Sequence, residues 1–91
     1  MTRLHVVVRG VVQGVGFRYF VRQQARALGV GGWVRNLPDG SVEVAADGDP
    51  RAIAALRHAL QEGPPGATVA KVEERAGADP EPLPPDFTIL R

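Results

Sequence analysis

The sequence predicts an α+β fold, a ferredoxin-like split βαβ sandwich with two helices on one face of a mostly antiparallel five-stranded sheet. Three observations predict it. A valine-rich run from Arg3 to Val11 is followed by helically spaced apolar residues from Phe17 to Leu28. Two strand-like runs, Gly32 to Asn36 and Ser41 to Ala45, flank the turn Leu37-Pro38-Asp39-Gly40. A second helical stripe, Ile53, Leu56 and Leu60, precedes an alternating run from Thr68 to Glu74. The resulting order is β-α-β-β-α-β, with a closing strand at Phe87 to Leu90.

Each element has its own local cause. Arg3 to Val11 is dense in β-branched residues and contains no helix start or stop, which predicts a buried strand. In the first helix Phe17, Phe20, Val21, Ala25 and Leu28 share one face, with Gln24 as the polar exception, and Gly29 follows the last apolar position as a helix terminator. Proline at the second position and glycine at the fourth define the hairpin turn. Asp49-Pro50 supplies an N-cap and a first-turn proline for the second helix, and Gly63-Pro64-Pro65 ends it.

The run from Thr68 to Glu74 alternates Val69, Lys71 and Glu73 against Thr68, Ala70 and Val72, which predicts a strand with two dissimilar faces. Asp79 to Asp86, rich in proline, predicts a stiff extended connector. Right-handed crossovers place the first and third strands side by side at the centre of the sheet. In that topology Arg18 and Asn36 are expected to come together.

At 91 residues the chain is sized for a single domain spanning positions 1–91. Its net charge of +1 provides no broad basic field for nucleic acid, so any anion site has to be local. Trp33 and Tyr19 are too scattered for a base-stacking platform. The absence of cysteine excludes disulfides, thiolate nucleophiles and cysteine-bound zinc. His5 and His58 have no metal-ligand spacing, and Arg9 interrupts the N-terminal apolar run far short of a membrane span. No metal, cofactor, nucleic-acid or membrane partner is expected, and the chain is expected to be a cytoplasmic monomer.

The most informative segment joins the first strand to the first helix. Gly14 and Gly16 allow backbone N–H groups to turn towards an anion, and the helix start adds unsatisfied donors and the positive end of its dipole. Two glycines alone are also what a tight strand-to-helix turn requires. The segment lacks the Gly-Lys-Ser/Thr of a nucleotide-binding P-loop, and Tyr19 stands where a dinucleotide fingerprint has its third glycine. Arg18 adds a second signal, because a cation in the first helical turn opposes the dipole unless an anion lies between them. Asn36, the single asparagine, either opens the turn or holds a water, its carbonyl accepting and its amide donating.

The segments Gly10-Val11-Val12-Gln13-Gly14-Val15-Gly16-Phe17-Arg18 and Gly32-Trp33-Val34-Arg35-Asn36-Leu37-Pro38-Asp39-Gly40-Ser41-Val42-Glu43 closely resemble the two signature segments of the acylphosphatase family. The resemblance covers nearly the whole chain. It implies a hydrolase that converts an acyl phosphate to carboxylate and inorganic phosphate without metal or cofactor. It further implies that backbone N–H groups of Gln13, Gly14, Val15, Gly16 and Phe17 bind the phosphoryl oxygens, that Arg18 clamps them, and that Asn36 orients the attacking water. Such chemistry needs positioning and charge stabilisation more than a strong general acid, because a carboxylate is a good leaving group. A non-catalytic anion-binding module on the same fold is the alternative.

Overall fold

Alternation along the first strand decides which way the sheet faces. In β1 (Thr2–Val11), Leu4, Val6 and Val8 are fully buried, while His5 and Arg9 point to the other side. The computed structural model describes residues 1–75 and 82–91, and the remaining elements are α1 (Phe17–Ala27), β2 (Gly31–Asn36), β3 (Val42–Gly48), α2 (Pro50–Glu62), β4 (Thr68–Glu74) and β5 (Thr88–Ile89). The sheet order is β4-β1-β3-β2-β5. All pairings are antiparallel except that of β5 with β2, which is parallel. The ferredoxin-like arrangement is therefore present, and β1 and β3 are central neighbours as the crossovers predict.

Register carries the alternation across the sheet. Leu4, Val6 and Val8 lie opposite Ala46, Val44 and Val42, so one face of the central pair is wholly apolar. Against it α1 packs Phe17, Val21 and Ala25, and α2 packs Ile53, Leu56 and Leu60. Truncating any of these leucines to alanine is expected to cost about 2–5 kcal/mol.

Local signals end the helices where they were expected to. The Gly29 N–H donates to Arg26 O at 3.2 Å and the Val30 N–H to Ala25 O at 2.9 Å, a Schellman closure of α1. Asp49 caps α2 by accepting from the Arg51 N–H at 2.8 Å, worth about 1 kcal/mol. In the hairpin turn the Gly40 N–H donates to Leu37 O at 3.1 Å and the Leu37 N–H to Ser41 O at 2.8 Å. Ser41 belongs to this turn, and β3 begins one residue later than the sequence suggests and runs on to Gly48.

The alternation expected for β4 is not what forms. Val69 and Val72, expected on opposite faces, both pack against the core. Their common side follows from a register shift at Arg9/Gly10: Arg9 pairs with Lys71 and Gly10 with Val69, so Ala70 is the extra residue of a bulge. A Cβ at Gly10 would lie 2.1 Å from Thr68 O and 2.8 Å from Ala70 N, which only glycine escapes. Of the expected proline-rich connector, Asp79 to Glu81 lie outside the described residues. Pro84 O accepts from the Gly32 N–H at 2.8 Å, and the Leu90 N–H donates to Val34 O at 2.9 Å, holding the closing segment beside β2.

The helix-free face of the sheet carries a charge cluster instead of apolar cover. Glu43, in the middle of β3, is 2% exposed. It meets His5 Nε2 at 2.7 Å, Arg35 Nε at 2.7 Å and Arg75 Nη1 at 3.7 Å. Burial pushes the Glu43 carboxyl upward, but the hydrogen bonds from His5 and Arg35 and the charges of Arg35 and Arg75 outweigh this and hold it below the usual range. Trp33 covers the cluster, with the His5 ring edge-on and the Arg35 guanidinium 4.9 Å from its ring centre. His58 pairs with Glu62 one turn along α2. Among the described residues no helix is long and apolar enough to cross a membrane.

Candidate active site

The end of β1 and the start of α1 make one wall of a cavity of about 360 Å³. Gly14 has φ 75° and Gly16 φ 76°, and among the described residues no non-glycine residue has positive φ, so φ alternates in sign from Gln13 to Phe17. Such alternation turns successive N–H groups towards one side and makes an anion-sized concavity. A Cβ at either glycine would meet nothing within 4 Å, so backbone conformation, and not crowding, is what requires glycine there.

The loop runs directly into a helix with an uncapped start. Gly16 is the N-cap, no side chain caps it and no acid lies in the first turn. The first closure is from the Phe20 N–H to Gly16 O at 3.0 Å, so the preceding N–H groups have no intrahelical acceptor. Phe17 is buried and anchors the helix start in the core, which leaves Arg18, half-buried, lining the cavity.

Asn36 closes the opposite side from the end of β2, where it pairs with Val42. Arg18 and Asn36 thus line the same cavity, as the topology predicts. Gln13, Gly14, Gly16 and Phe17 also line it, whereas Val15 does not and packs its side chain against the core. Gln13 makes contacts the sequence did not suggest: its side-chain Nε2 donates to Leu37 O and Ser41 O, each at 2.9 Å. These bonds tie the glycine loop to the turn that follows Asn36.

The same turn is braced from outside. Asp39 accepts from the Ser41 N–H at 3.0 Å and from the Ser41 hydroxyl, and pairs with Arg9 at 3.0 Å. The two Ser41 hydrogen bonds and then that of Arg9 hold the Asp39 carboxyl down at about 2. Arg9 in turn pairs with Glu73 of β4.

Six lining residues were missed from sequence: Val12, Tyr19, Arg22, Thr88, Ile89 and Arg91. A signal existed for Arg22, since four residues beyond Arg18 is the same helical face. Arg91 has no such local signal, because it reaches the cavity only through the parallel pairing of β5 with β2. No group of three or more His, Asp or Glu side chains placed to hold a metal ion occurs among the described residues.

Fold and cavity together define a split βαβ protein with a basic, loop-lined cavity at one end of its central strands. The family model for Acylphosphatase matches residues 4–89. An acylphosphatase of Thermococcus kodakarensis is 54% identical over 71 residues, covering 78% of this chain and 78% of the relative. The acylphosphatase crystal structure from Bacillus subtilis superposes over 100% of both chains with a TM-score of 0.83 at 35% identity. HypF of T. kodakarensis matches 99% of this chain with a TM-score of 0.84 at 30% identity, over 12% of its own length. The chain belongs to the acylphosphatase family and is a hydrolase of that class.

Proposed function

We propose that the chain, a single acylphosphatase-like domain acting as a monomer in the cytoplasm, hydrolyses soluble acyl phosphates to carboxylate and inorganic phosphate without metal. The observation that carries this reading is the presence of Arg18 and Asn36 on one cavity with a loop of alternating φ. Backbone N–H groups from Gln13 to Phe17 receive the phosphoryl oxygens, and Arg18 clamps them with its guanidinium fork. Asn36 accepts a hydrogen bond from the attacking water and donates to a phosphoryl oxygen.

In the chemical step the water oxygen forms a bond to phosphorus as the bond from phosphorus to the acyl oxygen breaks. The electron pair leaves with the carboxylate, which needs no proton. The water proton passes to a phosphoryl oxygen of the substrate, so no protein base is required. Stabilisation of the charge on the equatorial oxygens by loop and arginine supplies most of the rate.

Hydrolysis of acetyl phosphate in water enriched in heavy oxygen tests the reading. Attack at phosphorus puts the label in phosphate, and label in acetate would refute it. Binding of phosphate without any turnover would instead mark a non-catalytic anion-binding module.

A further inference from the structure

The cavity contains more positive charge than one phosphoryl group requires. Arg18, Arg22 and Arg91 all line it, and among the described residues no aspartate or glutamate does. Elsewhere Arg3, Arg9, Arg35, Arg57 and Arg75 each sit on a carboxylate. Among the described residues no carboxylate pairs with Arg18, Arg22 or Arg91. In a chain of net charge +1, three such arginines around one cavity repel one another, and a multiply charged anion would relieve all three.

Arg22 is also held in place. Its guanidinium lies 5.1 Å from the centre of the Tyr19 ring, and Gln23 Nε2 donates to the Tyr19 hydroxyl at 3.0 Å. Spaced one turn from Arg18 on α1, it stands about 5–6 Å away between Cβ atoms. Helical side chains lean towards the N-terminus, so Arg22 leans towards the loop that Arg18 adjoins.

We propose that Arg22 and Arg91 form a second anion subsite that selects acyl phosphates whose acyl chain ends in a carboxylate. The phosphoryl group occupies the loop and Arg18, and the distal carboxylate meets Arg22 and Arg91. This rests on the hydrolase reading for the reaction, but the subsite itself is a statement about binding.

Two paired probes separate the claims. In steady-state hydrolysis, succinyl phosphate is expected to show a KM about tenfold below that of butyryl phosphate, which has the same four-carbon chain without the carboxylate. By calorimetry, 4-phosphonobutyrate is expected to bind about tenfold more tightly than butylphosphonate. Arg22→Gln combined with Arg91→Gln collapses both ratios towards one, whereas Arg22→Lys alone retains part of each because the charge remains.

Equal affinity of the native protein for the two phosphonates overturns the subsite. So does a double variant that weakens both phosphonates in parallel, which would mean a general attraction for phosphate. Selective phosphonate binding without turnover of either acyl phosphate upholds the subsite and overturns the hydrolytic reading instead.

Discussion

The side-chain amide of Gln13 donates to the backbone carbonyl of Leu37 at 2.9 Å, and the same nitrogen reaches Ser41 O at the same distance. Through these bonds the loop after β1 and the turn after β2 become one unit. In the proposed mechanism the loop binds the phosphoryl group and Asn36 places the water, so their relative position sets the attack geometry.

Replacing Gln13 by Met removes the donor at similar size. Both carbonyls keep a backbone partner, Leu37 O from the Gly40 N–H and Ser41 O from the Leu37 N–H. The stability cost should therefore be small, about 1 kcal/mol, while kcat falls about tenfold or more. Gln13→Glu should be worse on both counts, since a carboxylate would face two carbonyl oxygens. Urea unfolding and steady-state kinetics on the two variants check this, and unchanged kcat in Gln13→Met would remove the positioning role.

Asn36 is exposed and ends a strand, so its loss should scarcely affect folding. Asn36→Ala should lower kcat by about 10²-fold or more, the scale of one lost transition-state contact, while inhibition by inorganic phosphate persists. A parallel loss of phosphate inhibition would make Asn36 a scaffold residue.

The pH dependence of the rate should lack a histidine step. His5 sits against Glu43 and Trp33 on the helix-free face and does not line the cavity, and His58 lies on the outside of α2. With substrate oxygen taking the proton, kcat should be flat between about pH 6 and 7, where an ordinary histidine titrates. A step there that disappears in His5→Gln would contradict the mechanism.

Stability in acid should depend on Asp39. Its carboxyl falls from 3.8 to about 2 on folding, so the unfolded chain takes up the proton first as pH drops. The stabilisation is complete above about pH 5 and is lost as pH falls through about 2. Asp39→Asn keeps an acceptor for Ser41 but does not titrate, so its stability should decline less than that of the native protein over this window. Thermal unfolding at pH 4, 3 and 2 measures the difference, and parallel curves would refute it.

Much of the fold was legible because each element has local punctuation. Asp49-Pro50 opens α2, Gly29 closes α1, and the turn from Leu37 to Gly40 joins β2 to β3 as its proline and glycine predict. The bulge at Ala70 was not legible, because its cause is the approach of Gly10 from a strand sixty residues earlier. Glu43 was equally hidden: alternation puts it on the helix-free face, and only the convergence of His5, Arg35, Arg75 and Trp33 buries it.

At the site, Gly14, Gly16, Arg18 and Asn36 stood out because their types conflict with local propensity or need a special backbone. Gln13 was marked for its backbone alone, since a side chain spanning to another element leaves no trace in spacing. Arg91 depends on the parallel pairing of β5 with β2: a closing strand was expected at Phe87 to Leu90, but nothing in its sequence names its partner.

The most direct measurement is the hydrolysis of benzoyl phosphate in excess EDTA by the native protein, Arg18→Gln and Arg18→Lys, with folding matched by circular dichroism. Rapid turnover by the native protein is expected, with a loss of about 10²–10³-fold or more in both variants, because lysine lacks the planar fork. Near-normal turnover in Arg18→Lys, or turnover of the native protein that vanishes with EDTA, would contradict a metal-free site built on the loop and Arg18.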